Sequence, residues 1–430
     1  MLLAGIGFFA SLLLIFLRVP IAIALGVTGY VGFGYIVGWN QAGSMLALMA
    51  RESTMSYGLV VIPLFILMGN FVAGAGISGD LYRAAQAWFG HRRGGLATAT
   101  VMSCGGFAAV CGSSVATVVT IGKVALPSMR QYAYADRLST ASVAAGATLG
   151  IIIPPSIMLV IYGILTETHI GMLYVAGLIP GILGLVGYVL AVRWTVWHRP
   201  ESAPVAERAD RAERMSSLKR IWSICALFVL VIGGIYGGFF TAAEASGIGA
   251  FGAFLLAWSM GRLSWRTLYD ILVDSALTSA MLIAMLVGAS VFTEFLNYTG
   301  AHDGLLNFVN NSGLPPVGVV LLICAIYIVL GALMEELSMI LLTVPLFFPI
   351  VIGLGYDPVW FGVLVVVLCE LGMIAPPVGV NLFVVRSIAR DVPLTTIVRG
   401  IAPFAMANIA RIFILAVFPA ISLFLPRLLF

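Results

Sequence analysis

Charge is what this chain has least of. Of its 430 residues only 9% are Asp, Glu, Lys or Arg, 22 basic and 18 acidic. An average soluble domain carries roughly 25%. So few charges cannot solvate the surface of a chain this long, which excludes a soluble enzyme, a nucleic-acid binder and a disordered protein. Histidine and cysteine are scarce too, four and five residues. The cysteines (Cys104, Cys111, Cys225, Cys324, Cys369) all stand in apolar runs, without a C-x-x-C spacing or a histidine cluster nearby. Neither a disulfide framework nor a metal cluster is expected, and they read as small buried hydrophobes. No ten-residue alternation of apolar and polar positions appears, which excludes a transmembrane β-barrel. The first apolar run, 2–17, lacks a basic leading segment, and Arg18-Val19-Pro20 follows it without an A-x-A cleavage site. It reads as a retained helix.

What is present is hydrophobic residues, 61% of the chain, gathered into long runs. Taking about 20 residues per crossing, the runs 2–17, 20–38, 57–75, 138–165 and 172–197 cross in the first half. In the second half they are 221–240, 244–260, 276–298, 358–388 and 401–426. Two further apolar stretches, 94–128 and 315–350, are interrupted at Cys111-Gly-Ser-Ser114 and at Met334-Glu-Glu336. They read as re-entrant hairpins. The polar stretch 198–220 reads as a linker between halves.

The halves repeat. A shift of 222 carries Pro154-Pro155 onto Pro376-Pro377, Gly150 onto Gly372, Pro127 onto Pro349, Tyr134 onto Tyr356, and Ser113-Ser114 onto Glu335-Glu336. Two successive units with an odd number of crossings insert in opposite orientations. The expected fold is therefore an all-α polytopic membrane protein with an inverted-topology repeat. Residues 1–197 form the first unit, with hairpin 94–128 and broken helix 138–165. Residues 221–430 form the second, with hairpin 315–350 and broken helix 358–388. With the linker placed in the cytoplasm and both termini outside, 18 of the 22 basic residues fall inside and two, Arg51 and Arg427, outside. That bias fits the positive-inside rule.

Two interruptions carry chemistry. Gly150 to Pro154-Pro155 breaks a helix at mid-membrane, and Gly372 to Pro376-Pro377 does so in the second half. Each proline removes a donor and frees a carbonyl, which needs a partner where no bulk water reaches. Unwound carbonyls are neutral hard oxygens suited to sodium. The tip at Cys111-Gly112-Ser113-Ser114 offers hydroxyls and amides to a cation or a carboxylate, or serves only close helix packing. Glu335, Glu336 and Glu370 are ionisable groups in apolar stretches, where function is the default reading; a tip open to outer water is the alternative for the first two. Lys123 snorkels or pairs. Arg411 partners a buried acid or a substrate anion. The histidines His91, His169, His198 and His302 are given no role.

The pieces Arg18-Val-Pro-Ile-Ala, Pro63-Leu-Phe-Ile-Leu-Met-Gly69, Gly112-Ser-Ser-Val-Ala-Thr, Gly150-Ile-Ile-Ile-Pro-Pro-Ser-Ile157, Gly177-Leu-Ile-Pro-Gly181, Gly238-Phe-Phe-Thr-Ala-Ala-Glu244 and Ala375-Pro-Pro-Val-Gly379 run in order over nearly the whole chain. Together they resemble the large permease subunit, DctM-like, of the tripartite ATP-independent periplasmic (TRAP) transporters. The resemblance implies sodium-driven import of a small organic anion, usually a carboxylate, across the bacterial inner membrane by an elevator mechanism. It implies two partners, a soluble periplasmic binding protein and a small four-helix membrane subunit, the latter expected as a separate chain. It implies one Na+ site built from Cys111, Ser113, Gly150, Ile153 and Pro155, largely through carbonyls. A second would use Gly331, Gly372, Ala375 and Val378. The substrate would lie between the tips, near Ser113, Ser114, Glu335 and Asn381. Two departures stand out. The family often has Thr where this chain has Ala375, and Asp where it has Glu335.

Three rival readings remain at this stage. Protons taken up by Glu335, Glu336 or Glu370 could replace sodium. An intramembrane enzyme would use Ser113, Ser114 or a carboxylate, although no G-x-S-x-G elbow is present. The hairpins could also gate a passive channel.

Overall fold

The computed structural model describes residues 2–311 and 313–430, with the side chains of 302, 303, 308 and 310 outside the described set; His302, given no role above, is among these. All regular structure among the described residues is helical. Among the described residues six helices are long and apolar enough to cross a membrane, and there are shorter apolar helices besides. Large side chains stand exposed along the flanks, among them Phe9, Tyr35, Phe239, Phe251 and Phe413. Water does not tolerate so much apolar surface, whereas lipid does. This is a polytopic membrane protein.

The expected hairpins and breaks form where the punctuating residues stand. Helix Gly95–Cys111 ends because Gly112 takes a left-handed conformation (φ 63°), and helix Ser114–Gln131 restarts at once under the Ser113 cap. Helix Asp136–Thr148 tightens into one turn at Leu149–Ile151 and stops; Ser156 then caps Ile157–Thr166. In the second half, Pro316–Gly331 and Glu336–Gly353 form the hairpin, and Pro358–Ile374 and Val380–Ile388 the broken helix. Both Pro-Pro bonds, 154–155 and 376–377, are cis. The shift of 222 carries Ser114–Gln131 onto Glu336–Gly353 end to end.

Several boundaries differ from the sequence reading. Helix Ile170–His198 runs to the start of the expected linker, and helix Arg211–Tyr236 begins inside it. What lies between is packed rather than free, with Ser202, Ala203 and Ala206 buried. The Ala135 amide donates to the Ser202 carbonyl at 3.0 Å, and the Ala206 amide to Gly90 at 3.3 Å. The charged residues of 211–220 suit the solvated first turns of a helix as well as a loop. Three helices, Trp39–Met55, Ile77–Phe89 and Ala301–Asn311, lie outside the expected segments. They are too polar to register as apolar runs. The last expected crossing is split at Pro419 into Leu394–Val417 and Ala420–Leu429.

The loops rich in arginine share one end of the molecule. Arg262 reaches Asp80 (3.6 Å) and the Ala75 carbonyl. Arg214 donates to the Ala87 carbonyl at 3.2 Å, and Arg130 to Asp391 at 2.7 Å. The Arg130 guanidinium holds the Asp391 carboxyl below its ordinary range. Arg137 donates twice to the Arg399 carbonyl. At the opposite end His169 meets Phe430, and Tyr162 donates to the Pro358 carbonyl.

Candidate functional site

The first hairpin tip lies on the first break. A methyl group at Gly112 would stand 2.7 Å from the Pro155 carbonyl oxygen, so only glycine allows this approach. A methyl at Gly150 would stand 3.3–3.4 Å from the Ser113 carbonyl group and from Ala108. On the other side, Gly69 abuts the Cys111 carbonyl; its added methyl would come to 2.9 Å. The structure thus brings Cys111, Ser113, Gly150 and Pro155 together. Ile153 lies between Gly150 and Pro155 in the break, with its side chain packed toward Gly181. The Ser113 hydroxyl accepts from the Ala116 amide at 3.4 Å, and its carbonyl accepts from the Thr117 hydroxyl at 2.7 Å. Ser156 accepts from the Leu159 amide and donates to the Ile151 carbonyl, taking up one freed by the break.

Asn381 closes this junction from the second half. Its Nδ2 donates to Ser114 Oγ at 2.8 Å and to the Ala144 carbonyl at 3.0 Å. Asn381 and Ser114 are both fully buried, and Asn381 Oδ1 has no hydrogen-bond partner. Two of the expected substrate residues are therefore joined to each other, while Glu335 stands exposed at the other tip.

The second tip meets the second break through bare backbone. A methyl at Gly372 would stand 2.8 Å from both Cα and O of Gly331. The Val378 amide donates to the Ala332 carbonyl at 3.1 Å, and the Ala375 amide to Gly372 at 3.3 Å. Gly331, Gly372, Ala375 and Val378 are brought together as expected. Unlike the first break, Pro376, Pro377 and Val378 are exposed. Glu336 Oε2 is buried without a hydrogen-bond partner. The carbonyls, hydroxyls and carboxylates at the tips and breaks are hard oxygen donors, the ligand type a hard cation takes.

One buried group was left open by the sequence. Glu370, two residues before Gly372, is ion-paired with Arg411 of the Leu394–Val417 helix. Arg411 also donates to Asn408 Oδ1 at 2.7 Å and to the Pro180 carbonyl at 3.3 Å. The pair is 0% and 4% exposed on its two sides. Gly184 leaves the space that the guanidinium fills. Beside it, Thr148 meets Tyr188 at 3.0 Å. Of the two readings of Arg411, the structure selects the buried partner of an acid. The available signal was two lone opposite charges in otherwise apolar crossings.

Residues 8–421 match the family described as tripartite ATP-independent periplasmic transporter, DctM component. The chain is 35% identical over 384 residues to the C4-dicarboxylate TRAP transporter large permease protein DctM of Pseudomonas aeruginosa, covering 89% of each. It is 34% identical over 429 residues to the protein of the same name from Rhodobacter capsulatus, covering 95% of this chain and 96% of that one. Among solved structures, the YdaH transporter of Alcanivorax borkumensis superposes with a TM-score of 0.60 at 15% identity, over 96% of this chain and 98% of the other. At that identity the likeness concerns the fold alone.

Proposed function

We propose a function from one premise: the chain belongs to the DctM component family of the tripartite ATP-independent periplasmic transporters. It is a membrane permease component and not an enzyme. Large permeases of this family work with a small membrane subunit and a periplasmic binding protein. Beyond that premise, our reading is sodium-coupled import of a small organic anion through the inner membrane, with the arginine-rich end in the cytoplasm and both termini outside. A dicarboxylate, a keto acid or an acidic sugar is the substrate class. The two relatives above, named for C4-dicarboxylates, favour the first.

The observation that carries the reading is the pair of tip-to-break junctions. Cys111, Ser113, Gly150, Ile153 and Pro155 would hold one sodium ion, and Gly331, Gly372, Ala375 and Val378 a second. The ion supplies positive charge beside an anionic substrate seated between the tips, near Ser113, Ser114, Glu335 and Asn381. The protein's own residues supply preformed neutral oxygens and bring tip and break into register. The common spacing of 222 between the two sets of elements supports an inverted repeat. Hairpins and broken helices would then move as one body against the remaining helices, carrying the site across as an elevator.

A melting curve of the purified chain in sodium, potassium and choline chloride at equal ionic strength tests the reading. A ligand at 100 times its Kd stabilises by about 2.7 kcal/mol. A sodium-specific rise in Tm, followed by uptake into vesicles driven by a sodium gradient, is the expected result. Equal melting in all three salts, with uptake surviving without sodium under an imposed pH step, would favour proton coupling. One observation supports that second reading, the buried and unpartnered Glu336 Oε2.

A further inference from the structure

A trough runs along the outer face between helices Ile170–His198 and Leu394–Val417. Its apolar part is a cavity of about 500 Å³, walled by Val186, Leu190, Met406 and Ile414. All four walls are open to the surroundings, Leu190 by 55% and Met406 by 58%. The floor is narrow because Gly187 and Ala407 face each other; a methyl on Gly187 would touch Ala407 at 3.6 Å. Trp194 and Pro403 border this cavity and also a second one of about 360 Å³ at the arginine-rich end. The second cavity is lined by Arg137, Arg199, His198 and one carboxylate, Glu201. Arg137 donates to the Arg399 carbonyl, and two arginines thus face this cavity against one carboxylate. Partial burial lowers the pKa of Arg137, and the positive charges of Arg199 and Arg399 add to that lowering. An anion at this end relieves that repulsion.

We propose that the trough is a binding site for one anionic phospholipid. The acyl chain lies over Gly187 and Ala407, and the phosphodiester meets Arg199 and Arg137. The trough opens sideways, and the one cation bordering its apolar part, Arg411, is buried and already paired with Glu370, so a soluble phosphate or carboxylate gains only the basic end. A zwitterionic lipid offers the same chain and phosphodiester but brings its own cation to the basic end, which weakens its contact with Arg199 and Arg137. Trp194, 55% exposed at the junction, occupies the level where amphipathic rings sit between hydrocarbon and headgroup. Each arginine near an anionic headgroup raises the preference about fivefold.

The test uses the full-length chain in phosphatidylcholine vesicles containing a small fraction of brominated phosphatidylglycerol or brominated phosphatidylcholine. Bromine quenches a nearby tryptophan, and the part due to Trp194 is the difference between the parent and Trp194→Phe. Phosphatidylglycerol should quench that component at least severalfold more strongly than phosphatidylcholine. Arg199→Gln should cut the preference about fivefold, whereas Arg266→Gln, an exposed arginine outside the trough, should leave it intact. Native mass spectrometry of the parent and Arg199→Gln, counting phosphatidylglycerol retained from a lipid mixture, gives a second reading. Equal quenching by the two lipids, or a preference untouched by Arg199→Gln with equal retention, overturns the proposal.

Discussion

The two tip-to-break junctions use one backbone plan and fill it differently. At the first, side chains close the joint: Ser113 caps the returning helix, Asn381 spans to Ser114, and Ser156 captures a freed carbonyl. At the second, glycine meets glycine and the returning helix starts at Glu335 without any side-chain cap. The first break is mostly buried, whereas Pro376 to Val378 of the second is exposed. The same fold element can therefore be made a sealed joint by hydroxyls and an amide, or an accessible one by carboxylates and bare backbone. The difference leaves the first junction closed and the second open to its surroundings.

The largest expected effect comes from the buried pair beside the second break. Arg411→Met strands the Glu370 carboxylate and should cost about 3–5 kcal/mol, because the partner is left buried and unpaired. The double change Glu370→Met with Arg411→Met should recover most of that loss in thermal unfolding. The equivalent place in the first half holds Thr148, and Thr148→Ala should cost only about 1 kcal/mol. A similar loss for Thr148→Ala and Arg411→Met would erase the contrast.

Glycine substitution comes next. Gly372→Ala forces a methyl into the Gly331 backbone, which has no flexible end to yield, and should lower stability by about 1–3 kcal/mol. Gly150→Ala meets only contacts of 3.3–3.4 Å and should stay under about 1 kcal/mol. Sodium-dependent melting of the two variants shows whether the tighter contact at Gly372 also disturbs its proposed sodium site more than Gly150→Ala disturbs the other.

Asn381→Leu removes both donations, to Ser114 and to the Ala144 carbonyl, and should cost about 1–3 kcal/mol by leaving buried acceptors unmet. Competition with substrate or sodium separates a binding role from a structural one. The smallest expected pair concerns the caps. Ser113→Ala should lose about 1 kcal/mol, and Glu335→Ala almost none, since its side chain caps nothing. Equal losses in chemical denaturation would mean that the two tips are closed alike.

Much of this architecture is legible in the sequence because glycine and proline act locally. Gly112 ends one helix by its own backbone, and each Pro-Pro pair stops another without help from distant residues. The amphipathic helices Trp39–Met55 and Ile77–Phe89 escape a search for apolar runs, since polar residues cover one face of each. The linker escapes for a related reason: a charge run looks the same whether it coils or begins a helix. The Glu370–Arg411 pair and the Asn381–Ser114 bond depend on which crossings are neighbours. Residues 41 and 267 positions apart meet only once the bundle is assembled, so sequence supplies the candidates and tertiary packing makes the choice.

The Glu370–Arg411 pair has an electrical consequence. Moving one elementary charge through 100 mV changes its energy by about 2.3 kcal/mol. Opposite charges held side by side cancel, so a body carrying this pair across the bilayer does no work against the field on its account. Under the sodium-coupled elevator reading proposed above, the voltage dependence of transport reads out the uncancelled passengers, the bound cation and the anion, together with whatever charge Glu335 and Glu336 retain.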